Sequence, residues 1–172
     1  APPFDDAGLN PTATYRYRVS TVSGSRTSAP SSEVSVTLPD RALTVVSADI
    51  TTNTTWTRDK KYRLSGFIHV GNGATLTIES GTIIEGDFNV VGSSLFILRG
   101  AKIDAQGTAA APIVFTSSQP VGQRRAGDWG GLIIVGNGII NRSAPVILEG
   151  TGTNTVTNPA IDYAGGTNNA DN

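Results

Sequence analysis

Few side chains in this 172-residue chain suit acid–base or nucleophilic chemistry. Cysteine is absent, which excludes a disulfide scaffold, a thiolate nucleophile and a thiolate metal site. His69 is the single histidine, so neither a histidine-rich metal site nor a Ser-His-Asp triad is favoured. Because His69 stands between the apolar Ile68 and Val70, we interpret it as a packing residue.

Two carboxylates occupy equivalent positions in a repeated pattern. Leu76–Glu85 matches Leu95–Asp104 at an offset of 19 residues (95 − 76). This alignment predicts Glu85 and Asp104 on adjacent turns of the chain, close enough to share a proton or a calcium ion. A hydrolase needs two carboxylates about 5–10 Å apart. The same spacing also suits solvated corners, and we favour that interpretation because no third acid aligns with them and no Arg or Lys accompanies both.

The most distinctive polar cluster contains Arg125, Asp128 and Trp129. An exposed tryptophan beside Arg and Asp can stack on a sugar ring, so these three residues are our candidate ligand-binding site. The structural alternative, which we favour, is that Trp129 fills the protein interior and Asp128 caps a turn.

Calcium is the one cofactor that the sequence suggests. Asp162 and Asp171 lie in an Asn/Gly-rich segment and offer the hard oxygen ligands that calcium prefers. Their spacing fits no EF-hand loop, and such turns also form without metal. We therefore predict no obligatory cofactor and name these two residues as candidate calcium ligands.

Charge and hydropathy exclude two further classes of protein. The chain has 14 acidic and 13 basic residues, for a net charge of -1, so it lacks the basic excess of a nucleic-acid-binding protein. No apolar run approaches the roughly 18 residues of a transmembrane helix.

A longer internal match indicates the fold. Gly66–Gly73 matches Gly131–Gly138 at an offset of 65 residues (131 − 66). This is close to three turns of about 22 residues, and intermediate copies are predicted at Phe88–Gly92 and Ile113–Thr116. A single turn cannot bury its own apolar side chains, whereas stacked turns can.

From residue 41 to 172 we therefore predict a right-handed parallel β-helix of about four or five coils, with a β-sandwich or jelly roll as the alternative. The alignment places Leu76 over Leu95 and Ile78 over Ile97. Because residues 151–172 do not have the composition of a cap, we expect the helix to continue past Asn172 in a longer protein.

The first forty residues have a different sequence pattern. Tyr15, Tyr17 and Val19 alternate with polar residues, and a second alternating run covers Val34–Leu38. The two runs predict an antiparallel pair with Val34, Val36 and Leu38 facing inward. Together with Leu9, this segment resembles the last two strands of a fibronectin type III domain. The alternative is an isolated hairpin packed on the next domain.

A family resemblance covers about residues 60–170. The chain resembles large bacterial cell-surface or secreted β-helix proteins, mostly without an assigned activity, some with upstream fibronectin-like modules. The blocks that carry the resemblance are 81–87, 99–103, 111–117 and 127–136. The resemblance implies export and a stalk-like or adhesive role.

These observations predict a non-enzymatic extracellular or cell-surface protein, a structural or adhesive rod. Its expected partners are other copies of itself or other surface proteins, through strand pairing, and carbohydrate. The alternatives are a polysaccharide-degrading lyase or glycoside hydrolase with a β-helix fold, and a carbohydrate-binding module that uses Trp129.

Overall fold

A computed structural model describes residues 13–37, 41–142, 146–148 and 163–168. The chain divides into two compact units, Ala1–Arg41 and Ala42–Asn172. The regular elements of the described part are all β-strands. They are β1 (Thr14–Tyr17), β2 (Val22–Ser23), β3 (Arg26–Thr27), β4 (Val34–Thr37), β5 (Ala42–Val46), β6 (Thr54–Trp56), β7 (Lys60–Leu64), β8 (Phe67–Val70), β9 (Thr75–Ile78), β10 (Ile83–Gly86), β11 (Ser94–Ile97), β12 (Lys102–Ala105), β13 (Val114–Ser117), β14 (Gly131–Ile134), β15 (Val146–Ile147) and β16 (Tyr163–Ala164).

The first unit contains two antiparallel pairs, β1 with β4 and β2 with β3. Cross-strand partners share a face, so Tyr15 lies beside Val36 and Tyr17 beside Val34. The prediction that Val34 and Val36 face inward is wrong, since they are 59% and 44% exposed and no second sheet of the described residues covers them. Leu38 lies outside the described residues. Membership in the fibronectin type III family stays a prediction.

The second unit is a parallel β-helix, which confirms the predicted all-β coiled architecture. Sheet A has the order β13-β10-β7-β5, sheet B has β14-β11-β8, and sheet C has β12-β9-β6. The chain visits A, B and C in turn, and every pairing within these sheets is parallel. Coil 1 contains β5 and β6, with Ile50 bridging to Val70. Coils 2 and 3 contain β7–β9 and β10–β12, and β13 and β14 belong to coil 4.

Strand alternation builds the core. Successive side chains of a strand point to opposite faces, so one side chain in two enters the interior of the coil. Among the most completely buried side chains are Leu64, Ile68, Val70, Leu76, Ile84 and Leu95. Burial of each contributes about 1.5–3 kcal/mol of hydrophobic free energy. Corners between strands are tight, and at the corner between β8 and β9 both Asn72 (φ 53°) and Gly73 (φ 71°) adopt left-handed backbone conformations.

The 19-residue alignment is wrong. Leu76 pairs with Ile103 in sheet C, whereas Leu95 pairs with Ile68 and Leu132 in sheet B. The two leucines therefore lie in different sheets of consecutive coils, not in one column. The alignment failed because each sheet has the same alternation of apolar side chains followed by a glycine corner, so strands of different sheets resemble one another in sequence.

The longer match holds only in part. Ser94 of coil 3 pairs with Phe67 of coil 2 on one side and with Gly131 of coil 4 on the other. The two matched segments are therefore two coils apart, not three. Gly131 is in register with Phe67 and not with Gly66, so the match is also shifted by one residue. The predicted intermediate copies are also wrong. Residues 88–92 form a loop, and β13 belongs to sheet A. Loops of unequal length between the strands break the assumed constant period.

Beyond β14 the pairing becomes antiparallel. β15 pairs with β16, and backbone N–H groups of Gly166 and Asn168 donate to the carbonyls of Gly138 (2.8 Å) and Asn137 (2.9 Å). Arg99 Nε also donates to the Gly165 carbonyl at 3.0 Å, which ties this segment to coil 3.

Candidate functional site

The carboxylate of Glu85 lies on the outer face of sheet A, and Glu85 as a whole is only 4% exposed to solvent. Its neighbour Ile84 enters the core, so strand alternation directs Glu85 outward. The register of β10 places Glu85 between Arg63 of β7 and Thr116 of β13. Lys61, two residues before Arg63, has its side chain on the same outer face.

Two cations hold this carboxylate. Arg63 donates to Oε2 through NH2 (3.0 Å) and Nε (3.3 Å), and Lys61 Nζ lies 3.5 Å from Oε1. The side chains of Arg63 and Lys61 are about a quarter exposed, at 27% and 26%, while that of Glu85 is 6% exposed. Both oxygens thus face a cation, an arrangement that holds a carboxylate as an acceptor and favours a structural ion pair. We name Lys61, Arg63 and Glu85 the sheet A ion cluster.

Asp104, the predicted partner of Glu85, lies elsewhere. It belongs to β12 in sheet C, where it pairs with Thr77, and its Oδ1 accepts a hydrogen bond from Gln106 Nε2 at 2.9 Å. The expectation that Glu85 and Asp104 stack on adjacent coils is therefore wrong. It rested on the 19-residue alignment, which equated strands of different sheets. The favoured interpretation of Glu85 as a solvated corner is also wrong, because Glu85 lies within β10 and is only 4% exposed.

Trp129 is half-buried and packs against the hydrophobic core. Trp129 is the last residue but one of the long loop 118–130. Its side chain occupies the space where a Cβ at Gly86 would lie. The next residue is fixed by a hydrogen bond from Gly130 N to the Ser93 carbonyl at 2.7 Å. These contacts agree with the structural interpretation of Trp129.

Arg125 and Asp128 meet within the same loop. Asp128 Oδ2 accepts a hydrogen bond from the Arg125 backbone N–H at 2.9 Å. That bond, followed by one from the Ser117 hydroxyl, lowers the pKa of Asp128 below the ordinary value of 3.8. The guanidinium of Arg125 donates to the carbonyls of Gly122 (3.3 Å) and Arg124 (2.8 Å). Asp128 therefore closes a turn, while binding of a ligand by these residues stays a prediction.

Residues 48–172 match a family model described as the pectate-lyase-like β-helix domain. This match covers more than half of the chain. The protein belongs to the pectate-lyase-like β-helix family. No curated protein and no solved structure matches it. Pectate-lyase-like β-helix domains are typically extracellular, and the family match is compatible with an enzymatic and with a structural role. Within the described ranges, no helix has the length and apolar character needed to cross a membrane.

His69 of this pectate-lyase-like domain is held in place by an aspartate that the sequence analysis did not single out. Asp49 Oδ1 accepts from the His69 backbone N–H and lies 2.9 Å from both that nitrogen and Nδ1. The imidazole also packs beside the fully buried Phe96, with ring centroids 5.1 Å apart. These contacts fit the predicted packing role.

A metal site is not evident in the part of the chain that the structure describes. No group of three or more His, Cys, Asp or Glu side chains in that part is arranged to hold a metal ion. Asp162 and Asp171 lie outside the described residues. Calcium binding by these two aspartates stays a prediction.

The turn closed by Asp128 is expected to loosen in acid. Because its pKa is lowered on folding, ionised Asp128 stabilises the loop fully above the ordinary value of 3.8, and this contribution is lost as pH falls through the lowered pKa. The protection factor of the Arg125 amide in hydrogen exchange, which is the ratio of its intrinsic to its observed rate, should therefore fall as the pH is lowered through this range. In Asp128→Asn the protection factor should not change with pH over the same range, and a constant protection factor in the native protein would contradict the assignment.

Gly86 is expected to tolerate no larger side chain. An alanine Cβ would overlap atoms of Trp129, so we expect Gly86→Ala to lower the free energy of unfolding by about 1–3 kcal/mol. The matched control is Gly71→Ala, whose Cβ would meet only Leu98 Cδ1 at 3.4 Å. Urea denaturation measures both variants, and equal losses would show that Trp129 does not fill this space.

Proposed function

We propose that this pectate-lyase-like β-helix protein is a non-enzymatic structural or adhesive component of the extracellular space or cell surface. The observation that carries the proposal is the sheet A ion cluster. Its carboxylate is buried and engaged by two cations, and the acid expected to complete a hydrolytic pair, Asp104, lies in another sheet. A carboxylate held in this way supports the outer face of the coil instead of transferring protons.

The architecture supports a rod-like role. Parallel ladders bond each inner strand to the coils on both sides, which makes a stiff element from short repeats. The edge strand β5 carries Leu43 (45% exposed) and Val45 (56% exposed) on its surface. An exposed apolar edge strand is suited to pairing with another copy or another surface protein. Upstream fibronectin-like modules would fit the same role.

The alternative proposal is a polysaccharide lyase or glycoside hydrolase. Family membership and the presence of Arg63 and Lys61 beside Glu85 favour it, because β-helix enzymes use carboxylates with basic neighbours on one face. A carbohydrate-binding module using Arg125, Asp128 and Trp129 is the third proposal, supported by the exposure of Arg125.

An activity assay separates the structural proposal from the enzymatic one. The purified protein is incubated with polygalacturonate, xylan and galactan, with and without added calcium, and reducing ends and unsaturated products are measured. We expect no product above the buffer control for the native chain or for Glu85→Gln. Chain cleavage by the native protein would contradict the structural proposal and establish the enzyme instead.

A further inference from the structure

The spacing between sheets B and C is the same in coils 2 and 3 and indicates one more strand in coil 4. Four residues separate β8 from β9 (71–74) and β11 from β12 (98–101). The four residues after β14 are 135–138, so residues 139–142 occupy the chain position of a sheet C strand. The structure forms no strand there, and among the described residues sheet C ends at β12. We name residues 139–142 the terminal strap.

A cavity lies where the interior of coil 4 is open. Its volume is about 210 Å³, and its lining includes Ile103 at the start of sheet C's last strand and Ile134 and Val135 at the end of β14. Ile134 continues the inward column of Val70 and Ile97, yet it is 64% exposed. The cavity is larger than the roughly 150 Å³ of an engineered apolar cavity that accepts benzene, so an isoleucine side chain fits into it.

Continuation of the ladder register brings an isoleucine of the terminal strap to this cavity. Leu76 and Ile103 form one column of sheet C, and each is the second residue of its strand. The second residue of the strap is Ile140. In the same register, Ile140 lies over Ile103 in the interior, and Asn141 lies over Asp104 on the outer face.

The corner before the strap has the composition of a hinge. In coils 2 and 3 this corner is closed by a backbone hydrogen bond of 3.0 Å from its fourth residue, Ala74 or Ala101, to the carbonyl of its first. In coil 4 the corresponding bond, from Gly138 to Val135, is not formed between these two described residues. Gly136 and Gly138 both belong to this corner, and glycine changes backbone conformation at little steric cost. The chain therefore leaves the coil at a point where it can also return.

The sequence beyond the strap supports the same placement. Residues 144–148 read Ala-Pro-Val-Ile-Leu and repeat the pattern of residues 111–115, Ala-Pro-Ile-Val-Phe, which lead into β13 of sheet A. In the chain, β12 lies between β11 of sheet B and β13 of sheet A. The strap lies between β14 of sheet B and the repeated segment. The chain order of the earlier coils therefore assigns the strap to sheet C.

We propose that the terminal strap is a closing element of the β-helix. It swings about the glycine corner 135–138 and adds to the free edge of β12 as the sheet C strand of coil 4, with Ile140 filling the cavity beside Ile103. In the open form, β12 presents unpaired backbone groups beside an apolar cavity, a combination to which an extended segment of another protein can add. Closure covers both. The sheet A ion cluster takes no part, so the inference stands apart from the proposed function.

Disulfide trapping in the full chain tests this inference, since the native chain contains no cysteine. Closure places the Cα atoms of Asp104 and Asn141 about 4.8 Å apart, within the range that a disulfide spans. We expect Asp104→Cys/Asn141→Cys to form an intramolecular disulfide about tenfold faster than Lys102→Cys/Asn141→Cys, whose Cα atoms lie on a diagonal about 7–8 Å apart. Thiol labelling and mass spectrometry of the linked peptides, at low protein concentration, give the rates.

A positive control sets the rate for neighbouring residues on this face. Thr77→Cys/Asp104→Cys joins two residues that already pair in the ladder, and it should be oxidised at a rate similar to that of the strap pair. The substituted positions lie on the outer face of sheet C or in the exposed strap, so the variants should fold like the native chain. The inference is overturned if the strap pair is linked no faster than the diagonal pair. It is also overturned if the linked product is a dimer, which would place a strand of a second copy on β12.

Discussion

Truncation of Leu95 to alanine is expected to destabilise the β-helix by about 3 kcal/mol. Leu95 is fully buried in β11, the middle strand of sheet B, with Ile68 on one side and Leu132 on the other. Its removal leaves a cavity that stacked coils cannot close, because each strand is held by ladders on both sides. Urea denaturation followed by tryptophan fluorescence measures the change.

Leu132→Ala is the matched control for this prediction. Leu132 occupies the next position of the same column, yet it is 39% exposed because it belongs to the last described coil. Removing the same atoms there should cost about 1 kcal/mol, since the lost hydrophobic free energy scales with the buried area. Equal losses at the two positions would contradict the stacking order of the coils.

Glu85→Gln is expected to lower the free energy of unfolding by about 3 kcal/mol. The substitution keeps the size of the side chain but leaves Arg63 and Lys61 without their anion. Two partly buried like charges then remain on one face of β7. Added salt should recover part of the loss, because the two cations are about a quarter exposed and open to screening. Denaturant titration at low and high ionic strength gives both quantities.

The triple variant Lys61→Met, Arg63→Met, Glu85→Leu is the companion to this test. If the cluster is structural, apolar groups of similar volume should restore stability to within about 1 kcal/mol of the native protein. If Glu85→Gln instead leaves stability unchanged, the cluster does not support the coil. Its burial would then require another explanation, of which catalysis is the first.

The sequence predicts those parts of the fold that depend on local alternation. The period-two pattern of β1, β8 and β9 identifies short strands with one more buried face, and the glycine and asparagine corners identify tight bends such as Asn72–Gly73. Repetition of such strands without helical periodicity is sufficient to predict stacked coils. The same signal exists in every sheet, so it identifies strands without showing which strand lies above which.

Register was not predictable because the coils differ in length. Loops tolerate insertions at low entropic cost, so their lengths vary from coil to coil. The insertions 87–93 and 118–130 can be placed at one corner only when the bounds of the flanking strands are known. Glu85 was therefore paired with the wrong partner. The sequence does contain a signal for the true partners of Glu85. Lys61 and Arg63 lie on the same outer face one coil earlier, and Arg63 precedes Glu85 by 22 residues. The contact of His69 with Asp49 follows the same logic over 20 residues.

The parallel register of β10 is the central claim, since it places Glu85 beside Arg63 and away from Asp104. Solution NMR tests it most directly, through backbone cross-strand nuclear Overhauser effects from the segment Ile83–Gly86. We expect contacts with β7 on one side and β13 on the other. Cross-strand contacts between β10 and β12 would contradict the claim, because they would bring Glu85 and Asp104 together as a carboxylate pair and restore the enzymatic interpretation.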